Sequence, residues 1–105
     1  MPRKLPNRMA IDEEWVKKQV KAILKKYKPL LWYYMPSAGI YGRRGIPDFV
    51  VCYKGWFIGI ETKANGNKPT DTQLDIHTEI HKAQGVVWVI DENNLDWLEQ
   101  ALAAI

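Results

Sequence analysis

A chain of 105 residues is long enough to bury one modest core and too short for two, so a single domain spanning 1–105 is the expectation. An apolar share of 47% and the lack of long polar or repetitive tracts exclude a disordered chain. No apolar run approaches the ~18 residues of a membrane span, and the single cysteine, Cys52, excludes an internal disulfide and a zinc-binding cysteine cluster.

The opening residues MPRKLPNRMA lack the apolar stretch of a secretory signal. With the lone cysteine, this fits a reducing cytoplasm. From Ile11 to Tyr27 the apolar residues Ile11, Trp15, Val16, Val20, Ile23, Leu24 and Tyr27 recur at helical spacing, with lysines on the opposite face, until Pro29 ends the helix. The formal net charge is +3 at a pI near 9.0, and it is unevenly spread: residues 1–28 hold nine Lys or Arg against three acids. That surplus of six could steer phosphate chains, the alternative being a solvated helix face. Leu30 to Met35 (LLWYYM) predicts a short aromatic strand, and the loop PSAGIYGRRGIP after it carries Arg43 and Arg44, placed to grip phosphates.

Two apolar arms, roughly Asp48 to Tyr53 and Trp56 to Lys63, predict a β-hairpin turning at Lys54-Gly55. The connection ANGNKP, which contains Lys68, leads to a helix opened by the capping-box pattern Thr70-x-x-Gln73, with Leu74, Ile76, Ile80 and Ala83 on its apolar side. Val86 to Ile90 (VVWVI) is uniformly apolar, which predicts a strand covered on both faces. Asn94 is placed to cap a last helix, Leu95 to Ala104. The order is αβββαβα, and a helix between the third and fourth strands implies a right-handed parallel crossover. The expected fold class is α/β: a mixed four-stranded sheet with flanking helices.

A two-residue turn at Lys54-Gly55 makes every facing pair of the hairpin sum to the same number: Cys52 with Phe57, Val50 with Gly59, Asp48 with Glu61. The two carboxylates become cross-strand neighbours with Cβ atoms about 5 Å apart, and strand alternation puts Lys63 on the same face. Gly59 would leave that face unobstructed beside the acids. Facing carboxylates repel, so something must compensate: a shared proton, a structural salt bridge to Lys63, or a bound cation. A divalent cation fits the positions, since Mg²⁺ and Mn²⁺ accept one or two carboxylates, keep several waters and bind substrate phosphates. Lys63 beside it could orient a water or stabilise developing negative charge.

Gly45-Ile46-Pro47-Asp48, twelve intervening residues, then Glu61-Thr62-Lys63, resembles the PD-(D/E)xK signature of restriction-endonuclease-like nucleases. More narrowly, Arg44-Gly45-Ile46-Pro47-Asp48-Phe49-Val50, Ile60-Glu61-Thr62-Lys63 and Gln73 at a helix start resemble the VRR-NUC (virus-type replication-repair nuclease) family. The resemblance implies Asp48, Glu61 and the Thr62 carbonyl as ligands of Mg²⁺ or Mn²⁺, Lys63 as the residue that positions or activates water, and Gln73 directed at the metal site. It further implies an acid of the first helix completing the catalytic set, for which Glu14 is chosen over Glu13 and Asp12. Lys17 and Lys21 on the same flank, with Arg43, Arg44 and Lys68, are the DNA-contact candidates. The stand-alone, often phage-encoded members of the family look like Holliday-junction resolvases, which implies a homodimer acting on branched DNA in the bacterial or phage-infected cytoplasm. A flap, nick or end nuclease, or a catalytically silent DNA-binding module, is the alternative.

His77 and His81, four apart, do not complete a metalloprotease HExxH, because Thr78 stands where Glu is needed, so they read as surface or packing residues. Cys52 reads as a small core residue, and most of the five tryptophans as core, some supplying an interface. Gly39, Gly42 and Gly45 lack the Lys-Ser/Thr ending of a phosphate loop, so no nucleotide cofactor is expected.

Overall fold

The computed structural model describes residues 10–37 and 42–105. Arg3, Lys4 and Arg8 of the basic segment, and Gly39 of the loop, lie outside them. Seven elements follow in the expected order: α1 (Glu13–Lys25), β1 (Leu31–Tyr34), β2 (Phe49–Tyr53), β3 (Trp56–Thr62), α2 (Asp71–Lys82), β4 (Val86–Ile90) and α3 (Leu95–Ala104). They form one sheet in the order β1-β2-β3-β4, antiparallel through its first three strands, with β4 parallel to β3. This mixed sheet flanked by helices agrees with a restriction-endonuclease-like core. No helix among the described residues is long and apolar enough to cross a membrane.

Each element forms for a local reason and buries one side. The Asp12 side chain accepts a hydrogen bond from the Trp15 N–H at 2.8 Å, which starts α1, and Val16, Val20, Ile23 and Leu24 then fall on its buried stripe. That stripe joins Leu95, Leu98 and Leu102 of α3 against Phe49, Val51, Ile58, Ile60 and Ile90 of the sheet. At the hairpin, Lys54 and Gly55 take φ of 51° and 84°, the left-handed pair that a two-residue turn requires. The pairs Cys52↔Phe57, Val50↔Gly59 and Phe49↔Ile60 follow, so the expected register holds.

The structure departs from expectation where alternation and edges decide. β4 lies at the edge of the sheet, beside β3 only, and Val89 is 38% exposed, so this strand is not covered on both faces. Asn94 precedes α3 without capping it: its Oδ1 accepts from the Asp91 N–H and its Nδ2 donates to the Val89 carbonyl, tying the helix start to the end of β4. Phe49, Val51 and Tyr53 occupy the core side of β2, so Cys52 points the other way and is exposed. Trp32 and Phe57, aligned with Cys52 across the sheet, share that exposed face, and Trp56 and Trp97 are also exposed, so most of the tryptophans are not core.

The loop entering β2 depends on Gly45. Its φ is +83°, and a Cβ there would stand 2.6 Å from the Thr72 carbonyl oxygen and 3.0 Å from Ile76 Cγ1, so the loop reaches the first turn of α2 only because the side chain is missing. Gly45→Ala is expected to cost on the order of 2–3 kcal/mol and to lower the thermal midpoint by roughly 10 °C, as circular dichroism would measure.

Candidate active site

Asp48 stands one residue before β2, at the position the hairpin register aligns with Glu61. Gly59 does not leave this face open: a Cβ there would lie 2.8 Å from Pro47 Cγ, so the proline fills the notch above the glycine and sets where Asp48 begins. The carboxylate is fixed by Thr62, whose N–H and hydroxyl both donate to Asp48 Oδ2, at 2.8 and 2.6 Å. This orienting role of Thr62 is distinct from the metal-ligand role expected of its carbonyl. A Thr between the Glu and the Lys, one residue past the pair-mate of Asp48, is the signal that could have suggested it.

Glu61 is 1% exposed. Burial, then the charge of Asp48 and a hydrogen bond with it, push its carboxyl up from 4.5 to about 8; Lys63 acts in the lowering direction and Glu13 in the raising one. The two acids are therefore in electrostatic contact, and near neutral pH the pair keeps a proton unless a cation takes its place.

Lys63 follows β3 directly and is buried, its Nζ 3.9 Å from Glu13 Oε1. Glu13, not Glu14, is the acid of α1 that reaches this centre. Glu14 has a side chain 73% exposed and pairs with Lys17 at 3.5 Å. Helix phase explains the difference: Glu13 shares the stripe of Val16 and Val20, at i+3 and i+7, which faces the core, whereas Glu14 shares a stripe with Lys17, Lys18 and Lys21. Lys17 also turns toward the site, its Nζ 3.8 Å from Asp48 Oδ1.

Gln73 reaches the acids through its cap. The Thr70 hydroxyl accepts from the Gln73 N–H, while Gln73 Oε1 accepts from the Thr70 N–H at 2.9 Å, closing the expected capping box. With the amide oxygen engaged there, the amide nitrogen is the end left to donate to Glu61 Oε2, at 3.2 Å. The capping role and the site-directed role are one arrangement. Gln73→Glu keeps a residue that can cap but sets a carboxylate against Glu61. It is expected to lower the thermal midpoint at pH 8 by about 5 °C, roughly 1 kcal/mol, and by much less at pH 5, where Glu61 holds its proton.

His77, read from sequence as surface or packing, is buried with Nε2 3.3 Å from Glu61 Oε1. Burial, with the charges of His81 and Lys63, lowers its pKa, so the imidazole is neutral near pH 7. The informative spacing was not His77 with His81 but Gln73 with His77, one helical turn apart. His81 instead accepts from the Val87 N–H.

Of the basic residues, Arg43 donates to Glu79 Oε2 of α2 at 2.6 Å, in an ion pair with both side chains exposed. Arg44, Lys21 and Lys68 are exposed.

No family model matches the chain. It is similar to a phage protein bearing the name "Putative nuclease p44", from Acyrthosiphon pisum secondary endosymbiont phage 1, with 42% identity over 55 residues. The match covers 51% of this chain and 59% of that protein, so the chain spans less than two thirds of the relative's length.

Proposed function

We propose that this chain is a metal-dependent DNA endonuclease of the VRR-NUC type, hydrolysing phosphodiester bonds in branched DNA as a homodimer. The observation that carries the reading is the buried Glu61 carboxylate, aligned by the hairpin register with the Thr62-anchored Asp48, with the buried Lys63 directly after the same strand. The name of the phage relative supports the nuclease part of it.

The donor set fits Mg²⁺ or Mn²⁺. Asp48 and Glu61 offer two hard carboxylates and Thr62 a carbonyl, and no group of three His, Cys, Asp or Glu forms a metal cage among the described residues. Such a set suits an ion that takes one or two carboxylates and keeps several waters. When bound, the ion lowers the pKa of a coordinated water and neutralises charge building on phosphorus. The chain's own residues supply the rest. Thr62 holds Asp48 in place, Gln73 holds Glu61, and Lys63 orients the attacking water or stabilises the charge on the phosphoryl oxygens. Lys17, Lys21, Arg44 and Lys68 contact neighbouring phosphates, so binding weakens as salt rises.

Labelled four-way junction, flap, nicked and linear duplexes, incubated with the protein and Mg²⁺, Mn²⁺ or EDTA, test the proposal. Paired symmetric nicks in the junction, lost with EDTA and in Asp48→Asn while DNA binding persists, are the expected result. Cutting confined to flaps, nicks or ends would replace junction resolution with that specificity. Cutting that persists in Asp48→Asn would overturn the site. Sedimentation gives the oligomer, and a monomer at micromolar concentration would remove the two-fold scheme.

A further inference from the structure

Glu61 receives two contacts from one helix. Gln73 donates to Oε2 at 3.2 Å, and His77 Nε2 lies 3.3 Å from Oε1. The two residues are four apart on α2, so they stack on one face one turn above the other, and both reach the same carboxylate. The direction of the Gln73 amide is set by the capping box. His77 is buried, and its Nε2 finds in Glu61 the partner that a buried polar atom needs. An apolar side chain would fill the same space between α2 and β3 without needing one. Each carboxylate oxygen has two lone pairs, so accepting one hydrogen bond apiece leaves one on each for another ligand.

We propose that His77 is a positioning residue for Glu61, closing with Gln73 a two-point clamp that presents this carboxylate to a divalent metal ion. The inference builds on the proposed function. His77 does not touch the metal or the DNA; it donates from Nε2 to Oε1 and fixes the carboxylate's rotation, as partners behind a ligand do at other metal centres. Gln73 alone would hold only the Oε2 end of the group.

The test is Mn²⁺ titration, following the free ion by electron paramagnetic resonance, on wild-type protein, His77→Gln, His77→Phe and His77→Met, each first checked for folding by circular dichroism. Gln replaces the donor near the Nε2 position; Phe and Met, of different shapes, remove it. In the donor-free variant that folds, Mn²⁺ affinity is expected to fall about 10–100-fold, with DNA cleavage recovering as Mg²⁺ is raised and DNA binding in EDTA unchanged. His77→Gln is expected to recover most of the affinity. A folded donor-free variant binding Mn²⁺ as tightly as wild type would overturn the clamp while leaving the metal site standing. So would a folded His77→Gln as weak as His77→Phe. A wild-type protein that binds no Mn²⁺ would overturn both the clamp and the metal-dependent reading beneath it.

Discussion

Glu61→Gln is expected to abolish DNA cleavage and, in the metal-free protein at pH 8, to raise the thermal midpoint. A loss of function that stabilises is the signature of a group held against its own preference. In the unfolded chain this carboxyl releases its proton near 4.5, and in the folded one near 8. Between those values the folded state binds the extra proton, so each pH unit of rise removes about 1.4 kcal/mol of stability. The contribution is fully present below pH 4.5 and lost as the pH passes 8, on the order of a few kcal/mol in all. The amide mimics the protonated acid at every pH. It can still accept from Gln73, and its nitrogen can donate to His77 Nε2 in the other tautomer. Wild-type midpoints should therefore fall from pH 5 to pH 8 more steeply than those of the variant, and Mg²⁺ should restore the wild type alone by mass action. Parallel pH profiles for the two proteins would contradict the buried, proton-sharing pair.

The parts of this arrangement that were legible in sequence are those fixed by short-range rules. Lys54-Gly55 dictates a two-residue turn, the turn dictates the register, and the register aligns Asp48 with Glu61. Thr70-x-x-Gln73 was legible as a cap for the same reason. What escaped depended on packing between elements distant in sequence. Cys52 and Trp32 fall on the face of the sheet opposite the core, and no strand pattern states whether another element covers that face. The apolar run of β4 suggests cover on both sides, but its place at the edge follows from pairing with β3 only. Pro47 over Gly59 and His77 against Glu61 are meetings of two segments, and neither segment alone predicts them. Glu13 is the exception. Its stripe with Val16 and Val20 is legible in the sequence as the core-facing side of α1.

Lys63→Ala is expected to reduce the cleavage rate about 10²–10⁴-fold while leaving DNA affinity in EDTA within a few-fold of wild type. Two ammonium groups approach the carboxylates, and they differ in ways that assign their work. Lys17 sits on the outer flank of α1, one quarter exposed, 3.8 Å from Asp48 and 3.5 Å from Glu14. A charge there remains hydrated and is suited to holding a phosphate, so Lys17→Ala should weaken DNA binding and its salt dependence more than turnover. Lys63 is buried directly after β3, the strand that carries Glu61, with Glu13 as an ion-pair partner. A desolvated, strand-anchored charge costs little reorganisation when negative charge develops next to it, which is the condition for accelerating a step rather than tightening a complex. Lys63→Arg separates the two uses again: it keeps the positive charge but spreads it over a planar fork too large for the same pocket, so binding should survive and the rate should not recover. If Lys17→Ala lost the greater part of the rate while Lys63→Ala lost only affinity, the two assignments would have to be exchanged.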